Sequence, residues 1–256
     1  MTTRRNWTRE ETILAMSLYY RIPYGNSDSR NPEVIKLAEL IKRTPDSVSL
    51  KLANLASFDP YHLARGVTGM SHASRLDKEI WKEFENNLEH LAFESETILA
   101  NKESITLEDK YVFNMNPSKE GGERLQEVKT RINQGFFRDM VLSNYQNTCA
   151  VSGINIKEVL IASHIIPWAK NEQERINPSN GICLSPLYDK LFDKGLITID
   201  LDYKIQISNV LKEKQKEPFY DLYLGQYENQ NINLPERFFP NKEFLEYHHT
   251  NIYQIK

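Results

Sequence analysis

The chain has 256 residues and a formal net charge of −3, with 40% hydrophobic, 26% charged and 11% aromatic residues. These proportions are ordinary for a globular protein and argue against disorder, and the length predicts two domains. No apolar run has the length of a membrane span, and the residues after Met1 do not form the apolar core of a signal peptide. We therefore expect a cytoplasmic protein without membrane segments. The near-neutral charge by itself indicates neither nucleic acid nor membrane as a partner.

Charge is unevenly distributed along the chain. The net charge is +2 in residues 1–85, −4 in residues 86–122 and −1 in residues 123–256. The acidic middle stretch ends in Asn-Pro-Ser-Lys-Glu-Gly-Gly, which is typical of a loop. We therefore predict an N-terminal domain at 1–85, a linker at 86–122 with a short strand or helix at Tyr111-Val-Phe, and a C-terminal domain at 123–256.

Three helices are predicted in the N-terminal domain. Thr8 and Glu11 have the spacing of a capping box, and Asn31-Pro32 and Thr44-Pro45 each place proline at a favoured first helical position. Apolar residues follow each start at helical spacing. The outward side chains of the third helix are predicted to be Ser47, Ser49, Lys51 and Asn54.

The short connection Lys42-Arg43-Thr44-Pro45 between the second and third helices favours a helix-turn-helix. The second of these two helices would then face a DNA groove with small polar and basic side chains. The segments 7–11 and 43–48 resemble Myb-type and sigma-factor-type helix-turn-helix segments. This interpretation assigns DNA contacts to Arg43, Ser47 and Lys51. A plain helical bundle with a solvated face is the alternative.

A long helix is predicted from Glu123 to about Asn144, because apolar residues recur there at steps of three or four. Several basic residues accompany this apolar stripe. The helix therefore either lies along a phosphate backbone or presents a solvated face. Under the first interpretation Arg131 and Arg138 contact nucleic acid.

The next stretch places a histidine before a pair of carboxylates. His164 lies in an apolar, strand-like run that Pro167 stops, and the stretch 175–186 is predicted to form a loop and a second short apolar strand. A short helix follows, with glycine at its C-terminal end. It carries Asp189 and Asp193 four residues apart and hence on one face. A hairpin that presents a histidine over two carboxylates is one interpretation, and a buried histidine with lysine-neutralised carboxylates is the other.

The order His164, Asn180, Asp189 and Asp193 resembles the HNH nuclease motif with its ββα-metal hairpin and helix. The resemblance is closer to the branch found in bacterial restriction-type proteins, where Ser-His-Ile-x-Pro-Trp, Asn-Gly-x-x-Leu and Asp-x-x-Phe-Asp-x-Gly recur. In this chain the three motifs stand at 163–168, 180–184 and 189–195. The resemblance covers residues from about 120 to 250 and implies a C-terminal HNH domain. The N-terminal helical domain lies outside it, and the two together predict an α+β fold.

The resemblance also implies a role for each residue. His164 is the general base that activates water for attack on a phosphodiester, and an imidazole is neutral near working pH. Asp189 and Asp193 are metal ligands, and Asn180 either ligates the metal or braces the loop that holds the histidine. Carboxylate ligands favour one Mg²⁺ or Mn²⁺ per site over Zn²⁺. Arg175 is a candidate for a phosphate contact or for stabilising transition-state charge.

Two features depart from the family pattern. Ser163 stands where many HNH proteins have Asp, Glu or His as a first metal ligand, so the metal is held through water or another oxygen, or more weakly. The paired Cys-x-x-Cys motifs of zinc-stabilised members are missing, because Cys149 is followed by Ser152. We therefore expect no structural zinc, and we expect Cys149 and Cys183 to be small buried apolar groups.

These inferences predict a metal-dependent endonuclease of restriction or phage-defence type that acts on double-stranded DNA. One ββα site cleaves one strand, so a double-strand break implies a symmetric homodimer. The alternative is a DNA-binding regulator or scaffold with an inactive HNH fold, which Ser163 favours. A nuclease for RNA or single strands is a third option. His248 and His249 lie in the tail that shares the resemblance, and we expect a buried or DNA-facing structural role for both.

Overall fold

The chain divides into two compact units, Met1–Asp139 and Met140–Lys256, in a computed structural model that describes residues 5–23, 25–64, 73–111 and 121–254. The first unit is helical and the second combines helices with two small antiparallel sheets. The predicted α+β class is therefore confirmed. None of the described helices has the length and apolar character that a membrane crossing needs.

Eight helices in the described ranges begin in the N-terminal unit. They are α1 (Arg9–Arg21), α2 (Pro32–Leu40), α3 (Pro45–Ala56), α4 (Pro60–Ala64), α5 (Arg75–Phe84), α6 (Leu88–Glu103), α7 (Leu107–Tyr111) and α8 (Gly121–Asn144), the last of which crosses into the second unit. Helix α1 packs against α3, α5 and α6, and α2 packs against α3. The core of this unit therefore lies around α1.

The predicted helix starts are confirmed. Thr8 accepts a hydrogen bond from the backbone N–H of Glu11 at 3.2 Å, and the Glu11 carboxylate accepts one from the backbone N–H of Thr8 at 3.0 Å. At the starts of α2 and α3 the side chains of Asn31 and Thr44 accept from the backbone N–H groups of Glu33 and Ser47, and proline follows each cap. Their side-chain oxygens satisfy N–H groups that have no partner within the first turn of a helix.

The stretch 86–122, predicted to be a linker, contains α6 and α7. Helix α6 packs against α1, and its buried residues Leu91, Ala92 and Ile98 recur at helical spacing. Of its acidic residues, Glu89 and Glu103 are exposed, whereas Glu96 is buried and pairs with Lys110 at 3.0 Å. The boundary between the compact units falls after Asp139, not at 122. Of the predicted Tyr111-Val-Phe element, Tyr111 is the last residue of α7 and the next two lie outside the described residues.

The predicted outward orientation of Lys51 and Asn54 is wrong, because both side chains are buried. Lys51 forms an ion pair with Asp77, and its ammonium lies 4.6 Å from the centre of the Trp7 ring. Lys51 follows Val48 by three residues, so it shares the inward stripe of α3 and needs a buried partner for its charge.

The side chain of Arg43 is likewise buried in the N-terminal unit. Its guanidinium donates to Glu11 at 2.7 Å and lies 4.3 Å from the centre of the Trp7 ring, and its side chain is 7% exposed. Ser47 is half-buried in the first turn of α3. Two of the three predicted DNA contacts on this motif therefore stabilise the helical unit itself.

Replacement of Lys51 by alanine is expected to destabilise the N-terminal unit by about 3 kcal/mol, because it leaves the buried Asp77 carboxylate without its cation. The exposed lysine of α2 provides the control, and Lys36→Ala is expected to change stability by less than about 0.5 kcal/mol. Urea unfolding and duplex-DNA affinity measured on both variants test the assignment. Weaker DNA binding by Lys51→Ala at unchanged stability would contradict the buried position.

The C-terminal unit is built on two hairpins with a helix between them. Its elements are β1 (Ile161–His164), β2 (Gly181–Leu184), α9 (Pro186–Asp193), β3 (Ile197–Ile199), β4 (Ile205–Ile207), α10 (Asn209–Lys212), α11 (Pro218–Tyr223) and α12 (Lys242–Asn251). Strands β1 and β2 are antiparallel, with His164 opposite Gly181, and α9 packs against both. The predicted strand–strand–helix order is thus present.

Cys149 ties this hairpin to α9. Both cysteines are buried, as predicted. The Cys149 sulfur accepts hydrogen bonds from the backbone N–H groups of Ser152 at 3.4 Å and Ser185 at 3.2 Å. Ser185 is the residue that caps α9. These bonds and the buried strand β2 hold the start of α9 in place.

Candidate active site

His164 occupies the last position of β1 and is half-buried. Its Nε2 lies 2.9 Å from the backbone carbonyl oxygen of Arg175. A carbonyl only accepts, so Nε2 carries the hydrogen and Nδ1 is the ring nitrogen that can take up a proton. Burial lowers the pKa of His164 below its ordinary value, and the bond to the Arg175 carbonyl partly opposes this shift. The imidazole is therefore neutral near pH 7.

Asn180 braces the loop between β1 and β2. Its amide oxygen accepts from the backbone N–H of Ile166 at 2.8 Å, and its amide nitrogen donates to the carbonyls of Ile166 at 3.2 Å and Glu174 at 3.1 Å. The residue is 1% exposed. This geometry matches the predicted bracing alternative. The metal-ligand alternative stays a prediction that this geometry disfavours, because the amide oxygen already accepts a hydrogen bond in a buried position.

Arg175 also stabilises the loop between β1 and β2. Its Nε donates to the Trp168 carbonyl at 2.9 Å, its guanidinium pairs with Glu172 at 3.1 Å, and it lies 5.2 Å from the centre of the Trp168 ring. That ring in turn meets His164 edge to face, with the ring centres 5.5 Å apart. Arg175 therefore orients the histidine through its carbonyl, and a direct phosphate contact would require its side chain to leave these partners.

Asp189 and Asp193 stand one turn apart on α9, as the sequence predicted. Asp189 is half-buried and Asp193 is exposed. Burial raises the pKa of Asp189; the Ser163 hydroxyl lowers it, the Asp193 charge raises it further and Lys190 opposes that effect. The buried Ser163 hydroxyl is close enough to act on this carboxyl, although it makes no hydrogen bond of normal geometry.

The Asp189 carboxyl suits a divalent cation. Burial and a second carboxylate both disfavour its charged form, and a bound cation would reverse both effects. Oxygen donors select hard ions such as Mg²⁺ and Mn²⁺. Within the described residues, however, His164, Asp189 and Asp193 do not have their ligand atoms within 4.8 Å of one another as a group of three. Ligands from water or substrate would therefore have to complete the coordination.

A group of three possible metal ligands does occur among the described residues of the N-terminal unit. The ligand atoms of Glu83, His90 and Glu94 lie within 4.8 Å of one another. The guanidinium of Arg9 bonds to both carboxylates of this group, at 2.5 Å in the case of Glu83. The arginine thus supplies the positive charge that a metal would bring.

The predicted nucleic-acid residues of α8 have different environments. Arg131 is exposed, and its guanidinium lies 3.9 Å from the Glu127 carboxylate of the same helix. Arg138 is half-buried. Arg131 is therefore accessible to a phosphate group, and Arg138 is partly accessible.

Two features of the site were missed from the sequence. The Arg175 contact to His164 uses a backbone carbonyl, which no side-chain pattern reveals. His248 is buried in α12, one of its two predicted alternatives, and only its bond to the backbone of α9 was not predicted. Its spacing from Phe244 and Leu245 follows a helical apolar stripe, and this signal alone indicates burial.

Comparison with known families gives one match in this part of the chain. Residues 149–200 match the family described as HNH endonuclease, and no curated protein matches the chain. The matched residues include both strands of the first hairpin, His164, Asn180 and all of α9. Residues 149–200, which hold the hairpin and α9, are therefore similar to the HNH endonuclease family.

Proposed function

We propose that the C-terminal unit hydrolyses phosphodiester bonds in double-stranded DNA and that this activity depends on a divalent cation. The observation that supports this best is the state of His164. A backbone carbonyl orients it, burial keeps it neutral, and its strand packs against the helix that carries two carboxylates. A neutral, oriented imidazole is what a general base for water activation requires.

In this proposal each side chain has a defined task. Nδ1 of His164 accepts a proton from the attacking water while Nε2 keeps its hydrogen on the Arg175 carbonyl, so the ring becomes an imidazolium without turning. Asp189 and Asp193 would hold the Mg²⁺ or Mn²⁺ ion, a use in line with the divalent metal that HNH nucleases generally employ. When bound, the ion neutralises charge on the phosphate and on the leaving oxygen. Asn180 holds the loop in place, and with it the carbonyl that orients the histidine.

The proposal extends to biological setting. The restriction-type motifs at 163–168, 180–184 and 189–195 support a role in restriction or phage defence. The N-terminal helical unit would hold or select DNA through residues such as Arg131, and a homodimer would cut both strands. The burial of Arg43 and Lys51 weakens the helix-turn-helix as the reading element. A cytoplasmic location remains a prediction from sequence.

The pH dependence of cleavage tests the protonation state of the base. Because burial lowers the pKa of His164 from 6.5, the neutral form persists as the pH falls below that value. The acid limb of kcat/KM is therefore expected to have its midpoint below pH 6.5, measured on plasmid DNA at saturating Mg²⁺. A midpoint at or above pH 7 would show that the active base is an exposed or cation-stabilised histidine.

A substrate comparison tests the reaction. The full chain is incubated with duplex DNA, single-stranded DNA and RNA, and with modified and unmodified phage DNA, in Mg²⁺, Mn²⁺ or a chelator. Metal-dependent cleavage of duplex DNA supports the proposal. Cleavage of RNA or single strands alone would replace the substrate class. Tight duplex binding without cleavage in either ion would favour the inactive-fold regulator.

A further inference from the structure

The C-terminal segment of the chain contacts the last turn of α9. His248 Nε2 lies 3.0 Å from the carbonyl oxygen of Phe192, and Gln254 donates from its side chain to the carbonyl of Lys194 at 2.7 Å. The backbone N–H of Gln254 donates to the carbonyl of Gly195 at 2.8 Å. Three carbonyls at the C-terminal end of α9 are thus bonded by residues more than fifty positions later in the sequence.

His248 is fixed on three sides. Its ring stacks on Phe192 with the centres 3.7 Å apart and an angle of 7° between the planes. Nε2 donates to the Phe192 carbonyl, so Nδ1 is the acceptor for the Thr198 hydroxyl at 2.8 Å. The residue is 1% exposed, and burial lowers its pKa to about 4. A neutral ring in a single tautomer makes both bonds throughout the neutral pH range.

Gly195 brings the same segment close to α9. Its φ is +64°, and a Cβ built at this position would lie 2.0 Å from the backbone oxygen of Ile252. The two backbones therefore meet where no other residue fits. The contact between the C-terminal segment and α9 is tight as well as hydrogen-bonded.

The contacted last turn of α9 carries Asp193, and Asp189 lies one turn earlier on the same short helix. Helix α9 has eight residues, so a shift of its last turn moves most of the helix. Phe192 directly precedes Asp193 and follows Asp189 by three residues, on the same side of the helix. We infer that His248 is a positioning residue that holds Asp189 and Asp193 in their metal-binding orientation. This inference rests on the proposed function, because it assigns metal binding to the two carboxylates.

Mn²⁺ binding to the full chain tests the inference without relying on activity. The concentration of free Mn²⁺ is followed by its electron paramagnetic resonance signal during titration. His248→Phe keeps a stacked ring and removes both hydrogen bonds, and we expect roughly tenfold weaker binding, as for other residues that orient metal ligands. His248→Gln retains a donor for the Phe192 carbonyl, and we expect binding within about threefold of wild type on the same scale.

A packing control separates positioning from general destabilisation. Leu245 is fully buried in the same helix, and we expect Leu245→Ala to lower the urea midpoint while Mn²⁺ affinity stays within about twofold of wild type. If His248→Phe does not fold, Thr198→Val takes its place, since it removes the hydroxyl that orients the ring. The same relative loss of affinity in Leu245→Ala would overturn the inference, as would unchanged affinity in His248→Phe, or in Thr198→Val where it takes its place.

An Asp189→Asn variant distinguishes failure of the positioning role of His248 from failure of the proposed metal site. Loss of Mn²⁺ binding in Asp189→Asn together with normal binding in His248→Phe would overturn the positioning role alone. Wild-type Mn²⁺ binding in Asp189→Asn would contradict the proposed metal site and would overturn the inference with it. Weakened binding in both variants, with the Leu245→Ala control unaffected, supports both.

Discussion

His164→Ala is expected to lower the rate of metal-dependent DNA cleavage by roughly 10²–10⁴-fold, the usual contribution of a general base. The loss should appear in kcat, with KM for DNA nearly unchanged, because the ring activates water and does not hold the substrate. The side chain is half-buried and bonds to the backbone carbonyl of Arg175 on the loop. The variant should therefore fold, and its circular dichroism spectrum and urea midpoint should stay close to wild type. Plasmid cleavage under single-turnover conditions gives the comparison.

A second histidine in the same unit provides the matched control. His249 is half-buried and stacks on Tyr253, with the ring centres 5.2 Å apart. His249→Ala removes an imidazole of the same size away from the hairpin, and we expect cleavage within about threefold of wild type, a difference of less than 1 kcal/mol. Equal losses in the two variants, or full activity in a folded His164→Ala variant, would remove His164 from the mechanism.

Asn180→Ala is expected to destabilise the C-terminal unit by about 3 kcal/mol, because three hydrogen bonds are lost. The substitution leaves the backbone N–H and carbonyl of Ile166 and the carbonyl of Glu174 without this partner, in a position that is 1% exposed. Cleavage should fall as well, since the same loop carries the Arg175 carbonyl that orients His164. Urea unfolding of the full chain, combined with activity at a temperature well below the transition, measures both effects.

Asn180→Asp separates bracing from metal ligation. A carboxylate retains the acceptor and loses both donors, so bracing predicts a loss of stability with no gain in Mn²⁺ affinity, whereas ligation predicts tighter binding. Asn177→Ala is the control, because its half-buried side chain caps the next turn by accepting from Ser179 at 2.9 Å, and the expected cost is about 1 kcal/mol. Tighter Mn²⁺ binding by Asn180→Asp would restore the ligand role that the geometry disfavours.

The parts of the structure that local chemistry specifies were predictable from sequence. The capping residues Thr8, Asn31 and Thr44 each start a helix, because a side-chain oxygen and a well-placed proline act within one turn. Gly195 ends α9 at a positive φ for the same local reason. The ordered motifs likewise predicted the strand–strand–helix core, and the family match at 149–200 supports the identification.

The errors arose where a distant partner decides the outcome. Lys51 was predicted to face solvent because it is charged, and it is buried because Asp77, 26 residues later in the chain, supplies a carboxylate. Charge composition suggested a linker at 86–122, although the apolar stripe of α6 packs on α1. In both cases a residue-by-residue estimate of polarity outweighed the helical spacing that indicated burial.

The candidate site shows the same division. Residue types and order predicted His164 and the two carboxylates, whereas the contacts that orient them come from backbone groups and from a remote helix. The Arg175 carbonyl carries no side-chain signature, and His248 reaches the Phe192 carbonyl across 56 positions. Such contacts depend on tertiary packing, which local pattern does not specify.

The most direct test of the central claim is cleavage of supercoiled plasmid DNA by the full chain in Mg²⁺ or Mn²⁺, with chelator and His164→Ala lanes beside it. The account predicts nicked and then linear products from the wild type in metal alone, with the ratio of the two indicating whether paired sites act together. Cleavage that persists in chelator, or intact plasmid in both ions despite DNA binding, would contradict it.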